Sequence, residues 1–166
     1  MKSEYIDPGM FEHLMYALTP TNRLVCQVCL QTGLRVGDVL QLRSDALKKQ
    51  FTITEQKTGK KRKVVLTKAL YSELMKQAGE RFVFEHRTDK NKHRTRQTVY
   101  ADIKRAAKAF RIKENLTPHS LRKIYAVKMY NKYGSIEKVQ QALNHDSEVV
   151  TLIYAWADMI TKKTHS

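Results

Sequence analysis

The sequence predicts a mainly helical α+β domain with a small antiparallel sheet. Apolar residues recur at intervals of three and four along most of the 166 residues, which is the spacing of helices that bury one face. Between residues 51 and 66 the pattern changes to the alternation typical of strands. The hydrophobic share of 42% is enough for a packed core, and no repeat or linker divides the chain. We therefore expect a single domain over residues 1–166.

Proline and glycine residues delimit the first two helices. Asp7-Pro8 and Thr19-Pro20 each place a capping side chain before a proline at the first helical position, where the missing N–H costs nothing. Gly33 is a suitable C-terminal stop. Arg35 follows, ahead of a short helix with apolar residues between positions 39 and 42. A charged side chain between two apolar helices is unusual, and its ordinary role is a surface arginine with a packed stem.

Two cysteines, Cys26 and Cys29, lie in the apolar run LVCQVCL of the second helix. Their C-x-x-C spacing also occurs in zinc and redox sites, but such sites need further ligands or a different context. We expect two buried thiols instead.

A β-hairpin is predicted next, with strands at residues 51–56 and 62–66 and a turn at residues 57–60. The tip of this hairpin is strongly cationic. A charged strand edge that discourages aggregation is one interpretation. We favour contact with phosphate, because nearly all of these charges have one sign. The cations assigned to this contact are Lys60, Lys61, Arg62 and Lys63.

The middle of the chain combines a helix with a basic segment. Thr67 caps a helix that Gly79 ends, and FVF at residues 82–84 is expected to add a short strand. Residues 85–96 contain no apolar side chain, and they form either a mobile surface loop or a clamp on the DNA backbone. The cations of this segment that we assign to DNA are Arg87, Lys90, Lys92, Arg94 and Arg96.

Four further helices are predicted in the rest of the chain. The first carries apolar residues between positions 99 and 110, and the second begins at Thr117-Pro118 and stops at Gly134. Ser135 starts a short third helix, and the last runs from about residue 147 to beyond residue 156.

The second of these helices carries His119 and Arg122 on one face of its first turns. Free backbone N–H groups and the positive end of the helix dipole favour an anion there, so a base and a fixed cation suit chemistry on phosphate. Each residue alone is weak evidence, since the chain has six histidines and eight tyrosines. Taken alone, His145 is best interpreted as a turn residue before a capped helix, and Tyr154 as a packing residue.

The charge of the chain indicates a polyanionic partner. Lys and Arg number 31 against 16 Asp and Glu, which gives a net charge of +15 and a pI near 9.9. Nucleic acid is the favoured partner. No basic amphipathic helix rich in Trp and Phe supports binding to a membrane surface. Neither a signal peptide nor an apolar run of about 18 residues is found, so we expect a cytoplasmic protein.

Four motifs together resemble the tyrosine recombinase family, the phage integrases. TGLRVGDVLQL resembles the family's first arginine motif, KTG its lysine turn, TPHSLRKIYA its H-x-x-R motif and LNHDSEVVTLIYAW its closing motif, in the family's order. His145 and Tyr154 are nine positions apart, as the closing motif requires. The resemblance implies a catalytic set of Arg35, Lys57, His119, Arg122, His145 and Tyr154, with Asp38 as the acid that supports Arg35.

The activity that this resemblance implies is cleavage and rejoining of DNA without a metal. Tyr154 would attack the scissile phosphate, form a 3′-phosphotyrosine and release a 5′-hydroxyl. The two arginines would stabilise charge on the phosphate oxygens, and Lys57 would protonate the leaving oxygen. His119 would act as base or proton partner, and His145 would donate a hydrogen bond to the phosphate. No cofactor and no metal ligand are expected.

The resemblance covers the family's catalytic domain almost from end to end, with three departures. Asn144 stands where the family usually has Gly, the N-terminal core-binding domain is absent, and only twelve residues follow Tyr154. The expected partner is double-stranded DNA, bound as a dimer or tetramer and compatible with a monomer in solution, with no membrane. The expected location is the nucleoid, for a bacterial or phage-encoded protein.

Three other functions remain open from the sequence. They are an integrase-derived DNA-binding regulator without catalysis, a type IB topoisomerase-like enzyme that relaxes DNA, and a nonspecific nucleic-acid-binding domain.

Overall fold

A computed structural model describes residues 3–164 of the chain, with only the backbone for residues 159 and 162–164. It confirms a mainly helical α+β domain with a two-stranded antiparallel sheet. The helices are α1 (Pro8–Met15), α2 (Pro20–Thr32), α3 (Val36–Leu40), α4 (Lys68–Gln77), α5 (Arg96–Ala109), α6 (Pro118–Tyr133), α7 (Ile136–Ala142) and α8 (Ser147–Thr164). The strands are β1 (Gln50–Thr54) and β2 (Lys61–Val65), preceded by a turn of 3-10 helix at Ser44–Ala46.

The helix boundaries follow local chemistry. The Asp7 carboxylate accepts hydrogen bonds from two backbone N–H groups of the first turn of α1. At α6, Thr117 and Ser120 form a reciprocal capping box, in which each side chain accepts from a backbone N–H near the other. Gly33 and Gly134 end α2 and α6 with φ of +69° and +61°, a left-handed conformation that glycine adopts without strain. These predicted starts and stops are confirmed.

The hairpin is confirmed with small shifts. β1 and β2 pair in a register that places Phe51 opposite Val64, and each begins one residue earlier than predicted. The turn occupies residues 55–60. Ile53 lies on the face of β1 that packs on the core. Glu55 continues this inward face into the turn and is completely buried.

The prediction of a third strand at residues 82–84 is wrong. Phe82 forms a single isolated bridge with Arg43, and the Val83 N–H donates to the Leu42 carbonyl at 2.9 Å. Val83 and Phe84 are completely buried. The segment is apolar because it fills the core, and apolarity alone does not distinguish a core-filling loop from a strand.

The core consists of two apolar clusters that meet along α6. The larger packs α1 to α6 and the sheet together, and the smaller joins α6 to α7 and α8. In the smaller cluster, Val149 and Ile153 of α8 are completely buried with Ala126 of α6. α6 therefore contributes its N-terminal half to the larger cluster and the residues from Ala126 onward to the smaller one.

The two cysteines of α2, Cys26 and Cys29, are free and fully buried, as predicted. Burial raises the pKa of the Cys29 thiol to about 12, which keeps it protonated at neutral pH. Within residues 3–164, no helix has the length and apolarity needed to cross a membrane.

Candidate active site

A cleft of about 670 Å³ is lined by side chains from five separate parts of the chain. Arg35 reaches it from the start of α3, Lys57 from the hairpin turn, and His119 and Arg122 from the first turns of α6. Four of the six predicted catalytic residues therefore line one cleft, although 87 positions separate the first from the last.

Arg35 is held by two carboxylates. Its Nη1 donates to Glu55 Oε2 at 3.1 Å and its Nη2 donates to Asp146 Oδ2 at 2.9 Å. Asp38, the predicted support, does not supply either bond. Its Oδ1 instead accepts from the Gln56 N–H at 2.9 Å, and burial raises its pKa. Asp38 thus supports the turn that carries Lys57.

Arg122 lies deepest in the site, with 1% of its surface exposed. Its Nε donates to Asp146 Oδ2 at 3.1 Å and its Nη2 donates to the Leu143 carbonyl at 2.8 Å. Its Nη1 donates to the Gly33 carbonyl. Burial is the main cause that lowers the pKa of Arg122, but the normal value is so high that the guanidinium stays charged.

Gly33 has a second structural role at this site. A Cβ at this position would lie 2.4 Å from the Tyr125 ring, closer than any real contact. The absence of a side chain lets α2 end against α6, which brings the Gly33 carbonyl to Arg122.

Two buried carboxylates balance these arginines, and neither role was predicted from the sequence. Burial alone would raise the pKa of Asp146, but Arg122 and Arg35 hold it below its ordinary value. Glu55 joins Arg35 to Arg62, whose Nη1 donates to Glu55 Oε1 at 3.3 Å. A signal existed for Glu55, because the alternation of β1 points this position inward.

His119 is set up as a neutral imidazole. Burial is the main cause that lowers its pKa, partly offset by the charges of Glu148 and Asp146. Nε2 of His119 lies 3.2 Å from Glu148 Oε2 without hydrogen-bond alignment, and this nitrogen is shielded from solvent. A histidine with a lowered pKa is free to accept a proton at neutral pH.

His145 and Tyr154 do not line the cleft. Asn144 and His145 both adopt left-handed backbone conformations, with φ of +50° and +58°. This conformation explains why glycine suits position 144 and why asparagine replaces it at little cost. His145 is exposed, and Tyr154 on α8 is 56% exposed beside the buried Ile153.

The predicted DNA-binding cations divide into two groups. Arg62 and Arg94 face inward: Arg62 contacts Glu55 as described, and Arg94 Nη1 donates to Asn22 Oδ1 at 3.4 Å. Burial lowers the pKa of Arg94. The side chains that remain exposed are those of Lys60, Lys61, Lys63, Arg87, Lys90, Lys92 and Arg96.

The first turns of α5 supply cleft residues that had not been assigned to the site from the sequence. Gln97 and Tyr100 line the cleft together with Arg96, which had been assigned only to DNA binding. Tyr100 is 45% exposed. Across residues 3–164, no three His, Cys, Asp or Glu side chains form a group able to hold a metal ion.

Comparisons with known proteins identify relatives of this chain. The chain is 28% identical over 148 residues to "Probable integrase/recombinase YoeC" of Bacillus subtilis (strain 168), covering 81% of this chain and 76% of that protein. It is 28% identical over 150 residues to tyrosine recombinase XerD of Lacticaseibacillus casei, covering 80% of this chain and 49% of that protein. The chain thus spans about half the length of XerD.

Solved structures show the same fold. A crystal structure of XerA recombinase matches 98% of this chain and 66% of that chain with a TM-score of 0.72 and 22% identity. A lambda integrase dimer bound to a COC′ core site matches 92% of this chain and 48% of that chain, also with a TM-score of 0.72, at 23% identity. The model of the Phage integrase family matches residues 4–159, nearly the whole length. The chain belongs to the phage integrase family.

Proposed function

We propose that this protein is a site-specific DNA recombinase that cuts and rejoins DNA through a covalent tyrosine intermediate. The observation that carries the proposal is the convergence of Arg35, Lys57, His119 and Arg122 on one cleft. Two fixed cations, a base of lowered pKa and a lysine form a set suited to the attack of a hydroxyl on a phosphodiester. Family membership and the recombinases among its relatives support the same reaction.

In the proposed reaction, the Tyr154 oxygen attacks the scissile phosphorus and the bond to the 5′-oxygen breaks. His119 accepts the phenolic proton, as its lowered pKa permits. The arginines at 35 and 122 donate to the non-bridging oxygens, and His145 adds a further donor. Lys57 protonates the departing 5′-oxygen. The reverse steps, with a different 5′-hydroxyl, rejoin the strand.

Because His145 and Tyr154 lie outside the cleft, the proposal requires α8 and the turn before it to move when DNA binds. The exposed cations of residues 57–63 and 85–96 would contact the DNA backbone and make affinity fall with salt. We propose that the active form on DNA is a dimer or tetramer. The structures of a lambda integrase dimer bound to a COC′ core site and of a lambda integrase tetramer bound to a Holliday junction support this assembly.

We further propose that residues 1–166 act as one catalytic domain and that the protein works at the nucleoid, where its DNA substrate lies. The regulator and topoisomerase alternatives are less favoured, because the relatives are named integrases and recombinases.

Covalent capture tests the reaction directly. Wild type, Tyr154→Phe and Tyr100→Phe are mixed with sheared DNA from the cell that carries the gene, quenched in detergent, and the attached DNA is sequenced. Tyr100 is the matched control, because it is an exposed tyrosine that lines the cleft itself. We expect adducts at a defined sequence with wild type and Tyr100→Phe and none with Tyr154→Phe.

Other outcomes would contradict the proposal in distinct ways. Adducts lost only in Tyr100→Phe would transfer the nucleophile role to that residue. Binding without adducts in any protein would favour the regulator. Relaxation of supercoiled plasmid without strand exchange would favour the topoisomerase-like activity.

A further inference from the structure

We propose that Asp146 is a positioning residue that occupies the phosphate site of the DNA-free protein and couples phosphate binding to release of α8. This inference rests on the proposed function, because it takes the two arginines as the phosphate ligands. Asp146 Oδ2 lies 2.9 Å from Arg35 Nη2 and 3.1 Å from Arg122 Nε, so one anionic oxygen bridges both guanidinium groups. A non-bridging phosphate oxygen makes the same kind of charge-assisted contact.

Arg122 can accept a new ligand most readily by exchanging Asp146. Its other acceptors are the main-chain carbonyls of Gly33 and Leu143, which lie at the ends of α2 and α7. Backbone at packed helix ends is fixed, whereas a carboxylate moves by rotation of its side chain. With 1% of Arg122 exposed, an incoming phosphate cannot simply add to the existing contacts.

Displacement of Asp146 bears on the nucleophile because the same residue starts α8. Its Oδ1 accepts from the Val149 N–H at 3.4 Å, and its carbonyl accepts from the Val150 N–H at 2.9 Å. Asp146 therefore joins the first turn of the helix that carries Tyr154 to the two arginines.

Glu148 forms a second link from the same turn. Its Oε2 lies 3.2 Å from His119 Nε2, and its Oε1 lies 3.2 Å from Lys123 Nζ. Together, Asp146 and Glu148 place two carboxylates of the α8 start against the two arginines and the histidine of the cleft, and against Lys123, which does not line it. We call this pair the acidic clasp. A phosphate competes with the carboxylate of Asp146 for the two arginines.

The chain contains a single tryptophan that reports on this helix. Trp156 lies two residues after Tyr154, packs edge-on against Tyr5 at 5.1 Å between ring centroids, and donates from Nε1 to Asn131 Oδ1 at 3.4 Å. Movement of α8 away from α6 changes both contacts and therefore the emission of Trp156.

The first test titrates inorganic phosphate at constant ionic strength into wild type, Asp146→Asn and Asp45→Asn. Asparagine is also a good N-cap, so the variant removes the charge without removing the cap. Asp45 is a matched exposed acid, 73% exposed in its pair with Arg43. We expect phosphate to change Trp156 emission in wild type. In Asp146→Asn, we expect the phosphate-free emission to resemble the bound form, and phosphate to bind more tightly within the range of about 5- to 150-fold typical of coupled sites.

Tighter phosphate binding alone is not sufficient, because loss of any nearby negative charge favours an anion. If Asp146→Asn binds phosphate more tightly but leaves Trp156 emission unchanged, the charge acts only by attraction and the proposed coupling is refuted. Asp45→Asn is expected to match wild type in both measurements.

The second test needs no change at Asp146 and so does not depend on the folding of that variant. Hydrogen–deuterium exchange is measured on Tyr154→Phe, which cannot form the adduct, with and without a duplex obtained by the capture experiment or, failing that, with inorganic phosphate. We expect exchange at residues 147–152 to rise at least several-fold on binding. Unchanged or slower exchange there would refute release of the clasp.

These readouts separate the inference from the proposed function. Adducts without any change at α8 would retain the recombinase and reject the clasp. A phosphate-dependent change at α8 without adducts would retain the clasp and reject the recombinase.

Discussion

Arg122 should be as important for stability as for chemistry, and replacing it with alanine tests this. The guanidinium is 1% exposed and donates to Asp146 and to the carbonyls of Gly33 and Leu143. Removing one partner of a buried ion pair costs about 3–5 kcal/mol, because the other charge remains buried. For a chain of this size, a loss of 1 kcal/mol lowers the melting temperature by about 2–4 °C, so we expect a fall of about 6–20 °C.

The measurements are thermal unfolding and urea unfolding, both followed by circular dichroism, with Arg96→Ala as the matched control. Arg96 also lines the cleft, but it is exposed, and surface substitutions change stability by less than about 0.5 kcal/mol. If Arg122→Ala and Arg96→Ala unfold at the same urea concentration, the buried network does not hold the fold together. A large loss would mean that inactivity of Arg122→Ala measures unfolding as well as chemistry.

The pKa of His119 is lower in the folded protein than in the unfolded chain, so the unfolded chain binds more protons as the pH falls. The free energy of unfolding should therefore decrease as the pH drops through about 6.5, the pKa of an unfolded histidine, and it should decrease less in His119→Gln. Gly33→Ala should cost more free energy of unfolding than Gly134→Ala, since both have positive φ but only the first meets a tyrosine ring; equal losses would exclude that clash. Lys63→Ala should reduce the slope of the logarithm of the DNA-binding constant against the logarithm of salt concentration by about 0.9 for each phosphate that the lysine neutralises. Arg62→Ala should instead lower the urea concentration at the midpoint of unfolding, because Arg62 contacts the buried Glu55.

The helix boundaries were predictable because they depend on residues within one turn of each other. Asp7, Thr117 and Gly33 act through short-range hydrogen bonds or a single backbone angle, and each appears in the sequence beside the helix it delimits. The inward position of Arg62 was also readable, because Arg62 lies two residues before the buried Val64 on β2 and therefore on the same face of the strand. Because nearly all charges of the hairpin tip have one sign, Arg62 was assigned to DNA contact together with the lysines, whereas its guanidinium contacts Glu55.

The connections within the site were not readable from local sequence. Asp146 meets Arg35 across 111 positions, and Glu55 meets Arg35 across 20. No pattern within one element reports such a contact, so Asp38, the acid near Arg35 in sequence, was chosen as its support. The motifs named four of the side chains that line the cleft, Lys57 among them, but they did not indicate that Tyr154 would lie outside it.

The backbone carbonyls of Gly33 and Leu143 neutralise part of the charge of Arg122 and fix its orientation. Gly33 and Leu143 follow the C-terminal ends of α2 and α7, where each helix dipole presents partial negative charge. This compensation is built into the backbone and cannot dissociate. When one anion leaves the arginine and another arrives, the guanidinium therefore keeps its orientation and part of its neutralisation. The ends of α2 and α7 thus fix the orientation of Arg122, and on the proposal above only the carboxylate oxygen of Asp146 is replaced when phosphate binds.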